Sequence, residues 1–256
     1  LAPPMLALNM NSTIWDRFAK TREYYRNEIE RMWKNLPELQ AIQQKLVDSR
    51  SPTYQVETPI VYNGSLDDVN RDDEIRLILV ADNPGRREQA AENRRYLVGP
   101  SGKIAEKFFR DNPVLNIDFR KNVIILNKTP IHTPRTVELR ELCKLGGISI
   151  ETALAESQRL MVRLLVEFQQ AFACENDTVL PVWLTGYSEM KKGGVFEVYT
   201  NELKNIYGTT APGETIFLYR HFSMNQFTID LKRQALPGEA LTQTLERIGT
   251  AYRQRF

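Results

Sequence analysis

The sequence predicts an α/β protein of three layers, α/β/α, around a four-stranded parallel sheet. Four short apolar runs carry the prediction: IRLILVAD (75–82), NVIILNK (122–128), TVLPVWLTG (178–186) and TIFLYRH (215–221). None alternates apolar with polar residues, which is the pattern of strands buried on both faces. Helical sequence separates each run from the next, so consecutive strands run parallel with helices covering the sheet.

The elements follow in order. Trp15, Phe18, Tyr25, Ile29, Met32, Leu36 and Leu39 recur at spacings of three and four, with Arg22 at the one missing step. That is the period of an amphipathic helix. Thr13 with Asp16 offers a capping start, Pro37 a break, and a second helical piece ends near Arg50. Residues 51–74 hold Pro52, Pro59 and Gly64 in an acid-rich run and predict a loop, with one short strand at IVY (60–62). After the first long strand, SGKIAEKFFRD predicts a helix opened by Ser101. The second strand leads through a proline-bearing loop to a helix at VELRELCKL and a longer one over Ile150 to Ala173. A helix from Gly194 to about Ile206 precedes the fourth strand, and helical sequence closes the chain. No internal repeat is evident. One domain spans 1–256, its helical segment 1–50 packed on a core, 75–231, that carries the motifs.

Composition narrows the class. The 256 residues are 42% apolar and 26% charged with a formal charge of +2, the mix of a soluble globular protein. No run of eighteen apolar residues suggests a membrane span. The start, LAPPMLALNMNSTIW, lacks a basic stretch before an apolar one and does not read as a signal peptide. Cys143 and Cys174 are the only cysteines, too few for a four-cysteine zinc site or an iron–sulfur cluster within this chain. Two free thiols fit a reducing compartment, so a cytoplasmic location is expected, nucleoid-associated in a bacterium. Between Arg86 and Arg140 lie 12 Lys/Arg against 6 Asp/Glu, whereas the rest of the chain holds 22 against 26. That asymmetry points to a polyanionic partner.

In open α/β sheets ligands bind beyond the carboxyl ends of the strands. Those ends read Asp82-Asn83-Pro84-Gly85, Asn127-Lys128-Thr129-Pro130, Thr185-Gly186-Tyr187 and His221-Phe222-Ser223. Asn-Pro-Gly is also ordinary turn chemistry, since Pro fixes one dihedral and Gly frees the next. His132, in TPIHTP, is structural or phosphate-facing. Taken together, the endings converge on one crevice. A side-chain amide such as Asn127 offers a donor and an acceptor side by side, matching a pyrimidine edge with an N–H next to a carbonyl, as in uracil. A neutral histidine can stabilise charge building on a departing carbonyl oxygen. A carboxylate or amide beside the sugar can orient water toward the anomeric carbon. These are the requirements for cleaving an N-glycosidic bond.

From about Ile75 to Leu231 the sequence resembles the uracil-DNA glycosylase superfamily. ADNPG (81–85) is similar to its first motif, G-E-A-P-G in the thermophile-type branch and G-x-N-P-G in the mismatch-specific and single-strand-selective branches. RRYLVGPSGKI (94–104) resembles R-P-F-V-G-x-x-G, VIILNKTPIHTP (123–134) the strand ending in the pyrimidine-reading Asn, and VWLTGYSEMKK (182–192) a W-G-x-x-A-x-K strand end. RHFSMNQF (220–227) resembles a weakened H-P-S-P motif. The departures are specific. The stacking Phe falls on Leu97, with Tyr96 where Pro is usual; Ala81 replaces Gly; Phe222 and Met224 replace the two prolines. The wedge leucine falls on Asn225, so Phe222, Met224 or Phe227 would enter the duplex instead. The cluster cysteines are absent.

The resemblance implies a glycosylase-like fold and a monomeric, monofunctional DNA glycosylase acting on uracil or a related damaged base in single- or double-stranded DNA. Asp82 or Asn83 would hold the attacking water and His221 would steady the leaving base. Pro84, Gly85, Phe222 and Ser223 would line the pocket, Tyr96 or Leu97 would cover the base face, and Asn127 would select its edge. Arg86, Arg87, Arg94, Arg95, Lys128 and Arg135 would hold phosphates. No metal, cofactor or membrane is expected. One alternative is a catalytically silent or altered-substrate nucleic-acid binder on the same scaffold. The other is a small-molecule α/β enzyme using GPSGK (99–103), although its spacing fails the phosphate-loop pattern at both ends.

Overall fold

The computed structural model of the chain describes residues 8–173, 179–208 and 211–255; Cys174 lies outside them. Six strands and eight α-helices occur in order among them: β1 (Leu8–Asn9), α1 (Ser12–Asn35), α2 (Leu39–Asp48), β2 (Glu74–Ile75), β3 (Leu77–Ala81), α3 (Pro100–Asp111), β4 (Val123–Asn127), α4 (Leu139–Ala171), β5 (Val182–Thr185), α5 (Glu197–Tyr207), α6 (Ala211–Glu214), β6 (Ile216–Tyr219), α7 (Gln226–Gln234) and α8 (Leu241–Arg253). β3, β4, β5 and β6 form one parallel sheet in the order β4-β3-β5-β6, apart from the small pair β1–β2. Every residue of β3, β4 and β5 is buried, as unbroken apolar runs require. β1 and β2 pair antiparallel, Leu8 opposite Ile75, a contact with no forerunner in the sequence pattern.

Helices cover both faces, giving the three layers. On one face α1, α2 and α5 pack against α4, where Phe18 meets Phe168 and Phe172. On the other, α3 and α7 bring Phe108, Phe109 and Phe227 onto Trp183 of β5, and α8 lies along β6. One buried cluster runs from Met10 to Tyr252.

Several boundaries moved for local reasons. α1 is capped by Asn11, whose Oδ1 accepts from the Ile14 N–H at 2.9 Å, rather than by Thr13; Asn is the stronger cap. α3 opens on Pro100, with Ser101 already inside the first turn. The expected pair of helices after β4 adjoin at Gly147, where φ is +62°. The helix expected from Gly194 begins at Glu197, because Gly194 sits in a tight turn against the Glu189 carbonyl. IVY contributes a single bridge, Ile60 to Ile131.

Candidate active site

The sheet order creates the site. The chain passes from β3 to β4 on one side, then crosses to β5 on the other, so the strand direction of travel reverses between β3 and β5. In sheets of this kind ligands bind at such a switch point, beyond the carboxyl ends of the strands. Ala81 pairs with Asn127, Val80 with Leu184 and Thr185 with Tyr219, which brings all four endings level.

At the switch point stands an ion pair. Lys128 Nζ donates to Asp82 Oδ1 at 2.6 Å and to the Thr185 carbonyl at 2.5 Å, and Thr136 Oγ1 donates to Asp82 Oδ2 at 3.1 Å. The Lys128 side chain is wholly enclosed and lies over the Phe196 ring. Burial pushes its ammonium down from the usual lysine range, and Asp82 offsets part of that. Lys128 is therefore not a phosphate contact. It is an internal cation satisfying a carboxylate and a strand-end carbonyl, because a buried charge must be paired. Gly186, at φ +79°, is what admits this pair: a Cβ there would lie 2.4 Å from Asp82 Oδ1.

The rest of the corner is equally tied. Asn83 Nδ2 donates to Thr133 Oγ1 at 2.9 Å, leaving Oδ1 as the side chain's acceptor. The Pro84 carbonyl accepts from His132 Nδ1 at 2.8 Å, while His132 Nε2 accepts from the Tyr54 hydroxyl. Burial pushes His132 down to about 4, so the ring is neutral and structural. The Gly85 N–H donates to Glu88 Oε2 at 2.6 Å. Glu88 was not among the expected residues. Its signal was available, since a Glu three residues after a turn N–H has the spacing of a capping box.

His221, after β6, is held as one tautomer. Its Nδ1 accepts the Ser223 N–H at 3.0 Å, so in the neutral ring the proton sits on Nε2. Burial and Lys128 lower the tendency of this ring to protonate, against the pull of Asp82. His221 is thus a neutral Nε2–H donor close to the ion pair. Asn127, at 1% exposure, has a buried Nδ2 with no hydrogen-bond partner.

Other expected residues take different places. Tyr96 is fully buried; its hydroxyl donates to the Val61 carbonyl at 2.6 Å and lies 2.6 Å from the Tyr25 hydroxyl of α1. It cannot cover a base. Leu97 is also buried, at φ +52°, with its carbonyl accepting from Arg120 at 2.7 Å. Phe222 and Phe227 stack on each other, centroids 4.3 Å apart, beneath Phe108, so neither is free to line a pocket or enter a duplex. Met224 is 83% exposed and, with Asn225, occupies consecutive left-handed positions. Non-glycine residues held this way cost about 1–3 kcal/mol each and gather at functional turns. Arg86, stacked over Tyr54, Arg87, Arg94 and Arg95 are exposed; Arg95 pairs with Asp68, and Arg135 with Glu138.

Among the described residues, no three His, Cys, Asp or Glu side chains are grouped to hold a metal ion, and no helix is long and apolar enough to cross a membrane. No known protein family, curated protein or solved structure matches the chain.

Proposed function

We propose that the chain is a DNA glycosylase that takes an extruded uracil, or a related damaged base, at the carboxyl ends of the strands beside the β3–β5 switch point. The observation that carries this reading is Asn127. A buried amide donor without a partner costs about 1–3 kcal/mol, and one kept at a strand end asks for a ligand acceptor. A pyrimidine carbonyl next to an N–H answers both halves of the amide. His221 supports the reading, because a neutral Nε2–H can donate to the base oxygen on which negative charge builds.

In the reaction, water adds to the anomeric carbon as the C1′–N1 bond breaks. The bond pair leaves with the base, stabilised by His221; the added water gives up a proton to solvent to become the sugar hydroxyl, and the base anion takes a proton from solvent. The water-orienting role falls to Asn83 Oδ1, since both Asp82 oxygens are occupied by Lys128 and Thr136. Asp82 fixes the corner. The exposed Arg86, Arg87, Arg94 and Arg95 would meet phosphates, and Met224 would fill the space left in the stack.

One observation favours a second reading, a silent or altered-substrate binder: Tyr96 and Leu97 are both buried, so neither expected side chain is offered to a base face. Single-turnover release from single- and double-stranded oligonucleotides carrying one uracil, followed by alkaline scission, separates the two. Release in the parent, lost in Asn83→Ala and His221→Ala, supports the glycosylase. Binding without release at enzyme excess would replace it with the binder.

A further inference from the structure

Tyr54 comes from the segment after α2, outside the motif-bearing core, yet it meets the Asn83-Pro84-Gly85 corner in two ways. Its hydroxyl lies 2.9 Å from His132 Nε2. Its half-buried ring lies under the Arg86 guanidinium, whose Cζ is 4.9 Å from the ring centroid. The far side of the imidazole sets the direction of these bonds. His132 Nδ1 is 2.8 Å from the Pro84 carbonyl, which can only accept, so Nδ1 carries the proton and Nε2 takes the Tyr54 O–H. Consecutive glutamines of α2 fix both partners: Gln43 Nε2 donates to the His132 carbonyl at 2.8 Å, and Gln44 Nε2 to the Tyr54 carbonyl at 2.9 Å. The next residue, Thr133, accepts from Asn83 Nδ2 at 2.9 Å, and both His132 and Thr133 are enclosed. His132 therefore holds the corner through the Pro84 carbonyl and through the backbone that carries Thr133. The buried Glu88 completes it from within the same turn, at the Gly85 N–H.

We propose that Tyr54 is a positioning residue for the site: its hydroxyl holds His132, and through it the Asn83 amide, while its ring carries Arg86 as a phosphate contact beside the corner. The inference rests on the glycosylase reading for what Asn83 and Arg86 act on; the run of contacts from α2 to the corner stands without it. Each half has its own chemistry. A buried imidazole with one nitrogen bonded to a carbonyl keeps its orientation only while the other nitrogen also has a partner, and Tyr54 is that partner. A guanidinium is planar and weakly hydrated, so an aromatic face can hold it flat and leave its edge N–H groups for phosphate oxygens. The two roles are separable, because Phe keeps the ring and drops the O–H, whereas Leu drops both.

The test reads position, binding and activity separately in the intact chain. With two histidines in the sequence, long-range proton–nitrogen NMR distinguishes both rings: His132 should carry its proton on Nδ1, the reverse of His221. Tyr54→Phe should shift His132 Nε2 and the Asn83 side-chain amide and leave oligonucleotide affinity and its salt dependence as in the parent. It should also slow single-turnover uracil release by about tenfold or more. Tyr54→Leu should in addition weaken binding and lower its salt slope by about one, as Arg86→Gln does. Arg86→Gln should leave the His132 nitrogens where they are. Should Tyr54→Leu not fold, the upfield ring-current shift of the Arg86 side-chain protons in the parent decides the stacking. A His132 proton on Nε2, an unmoved Asn83 amide or parent-like release in Tyr54→Phe, or a parent-like salt slope in Tyr54→Leu would overturn the proposal. A parent that binds no oligonucleotide would overturn the Arg86 role. Shifts of His132 and Asn83 in a protein that releases no base at enzyme excess would sustain the positioning and sink the glycosylase reading.

Discussion

Replacing Lys128 by Met tests the internal ion pair against the surface role that its sequence position suggests. The side chain is fully enclosed and its ammonium holds Asp82 Oδ1 at 2.6 Å and the Thr185 carbonyl at 2.5 Å. Met fills a similar volume but leaves a mostly buried carboxylate without its cation. Breaking a buried pair from one side costs about 3–5 kcal/mol. The double variant Lys128→Met/Asp82→Asn removes the stranded charge, so it should be more stable than Lys128→Met alone. Urea unfolding measures both, provided the slope with denaturant is unchanged. A second assay separates the roles: the salt dependence of oligonucleotide binding should be the same in parent and variant, because a buried lysine displaces no counterion. A phosphate-contacting lysine would lower the slope by about one when removed. A loss below about 1 kcal/mol together with a reduced salt slope would refute the reasoning.

Other outcomes follow from the same geometry. Gly186→Ala should cost about 2–4 kcal/mol, from the left-handed backbone plus the clash with Asp82; a loss below about 1 kcal/mol on thermal unfolding would contradict this. Met224→Ala should stay within about 0.5 kcal/mol of the parent in stability; under the proposed glycosylase function it should slow base release from duplex more than from single strands, and a uniform slowing would remove Met224 from the proposed wedge role. Glu88 carries a pH signature in stability. Its folded value of about 7 stands above the ordinary 4.5, so the stabilisation from its neutral form is complete below pH 4.5 and is lost as pH rises through 7. The interval corresponds to about 3 kcal/mol. Glu88→Gln should therefore gain on the parent by roughly that amount between pH 5 and pH 8, and parallel stability curves would show the carboxyl is not buried as described.

The sheet was readable because burial on both faces leaves a direct trace, as in LILVA and VIILN, where every residue is apolar up to the terminal Asn127. Strand order left no such trace, since it depends on where each crossover lands. At the site, His221 and the Asn-Pro-Gly corner were readable as strand endings, and the histidine's tautomer follows from a neighbour two residues away. Lys128 was misread because what encloses it is remote: Asp82 lies 46 residues earlier and Thr185 57 later. Tyr96 failed for the same reason, its hydroxyl being claimed by Tyr25 from 71 residues away. An aromatic beside a motif looks alike in sequence whether its ring faces a ligand or its hydroxyl is already bound.

That claim by Tyr25 bears on how the protein can be divided. Through the hydroxyl contact from Tyr25 to Tyr96 and on to Val61, together with Phe18 against Phe168 and Phe172, α1 fills a slot in the motif-bearing core. A fragment beginning at residue 75 would be a receptor missing its own tethered ligand, with an open aromatic groove and the Tyr96 phenol deprived of two partners. The tether keeps that ligand at a high effective concentration. A peptide spanning α1, added in trans to such a fragment, would act as a titratable agonist of folding.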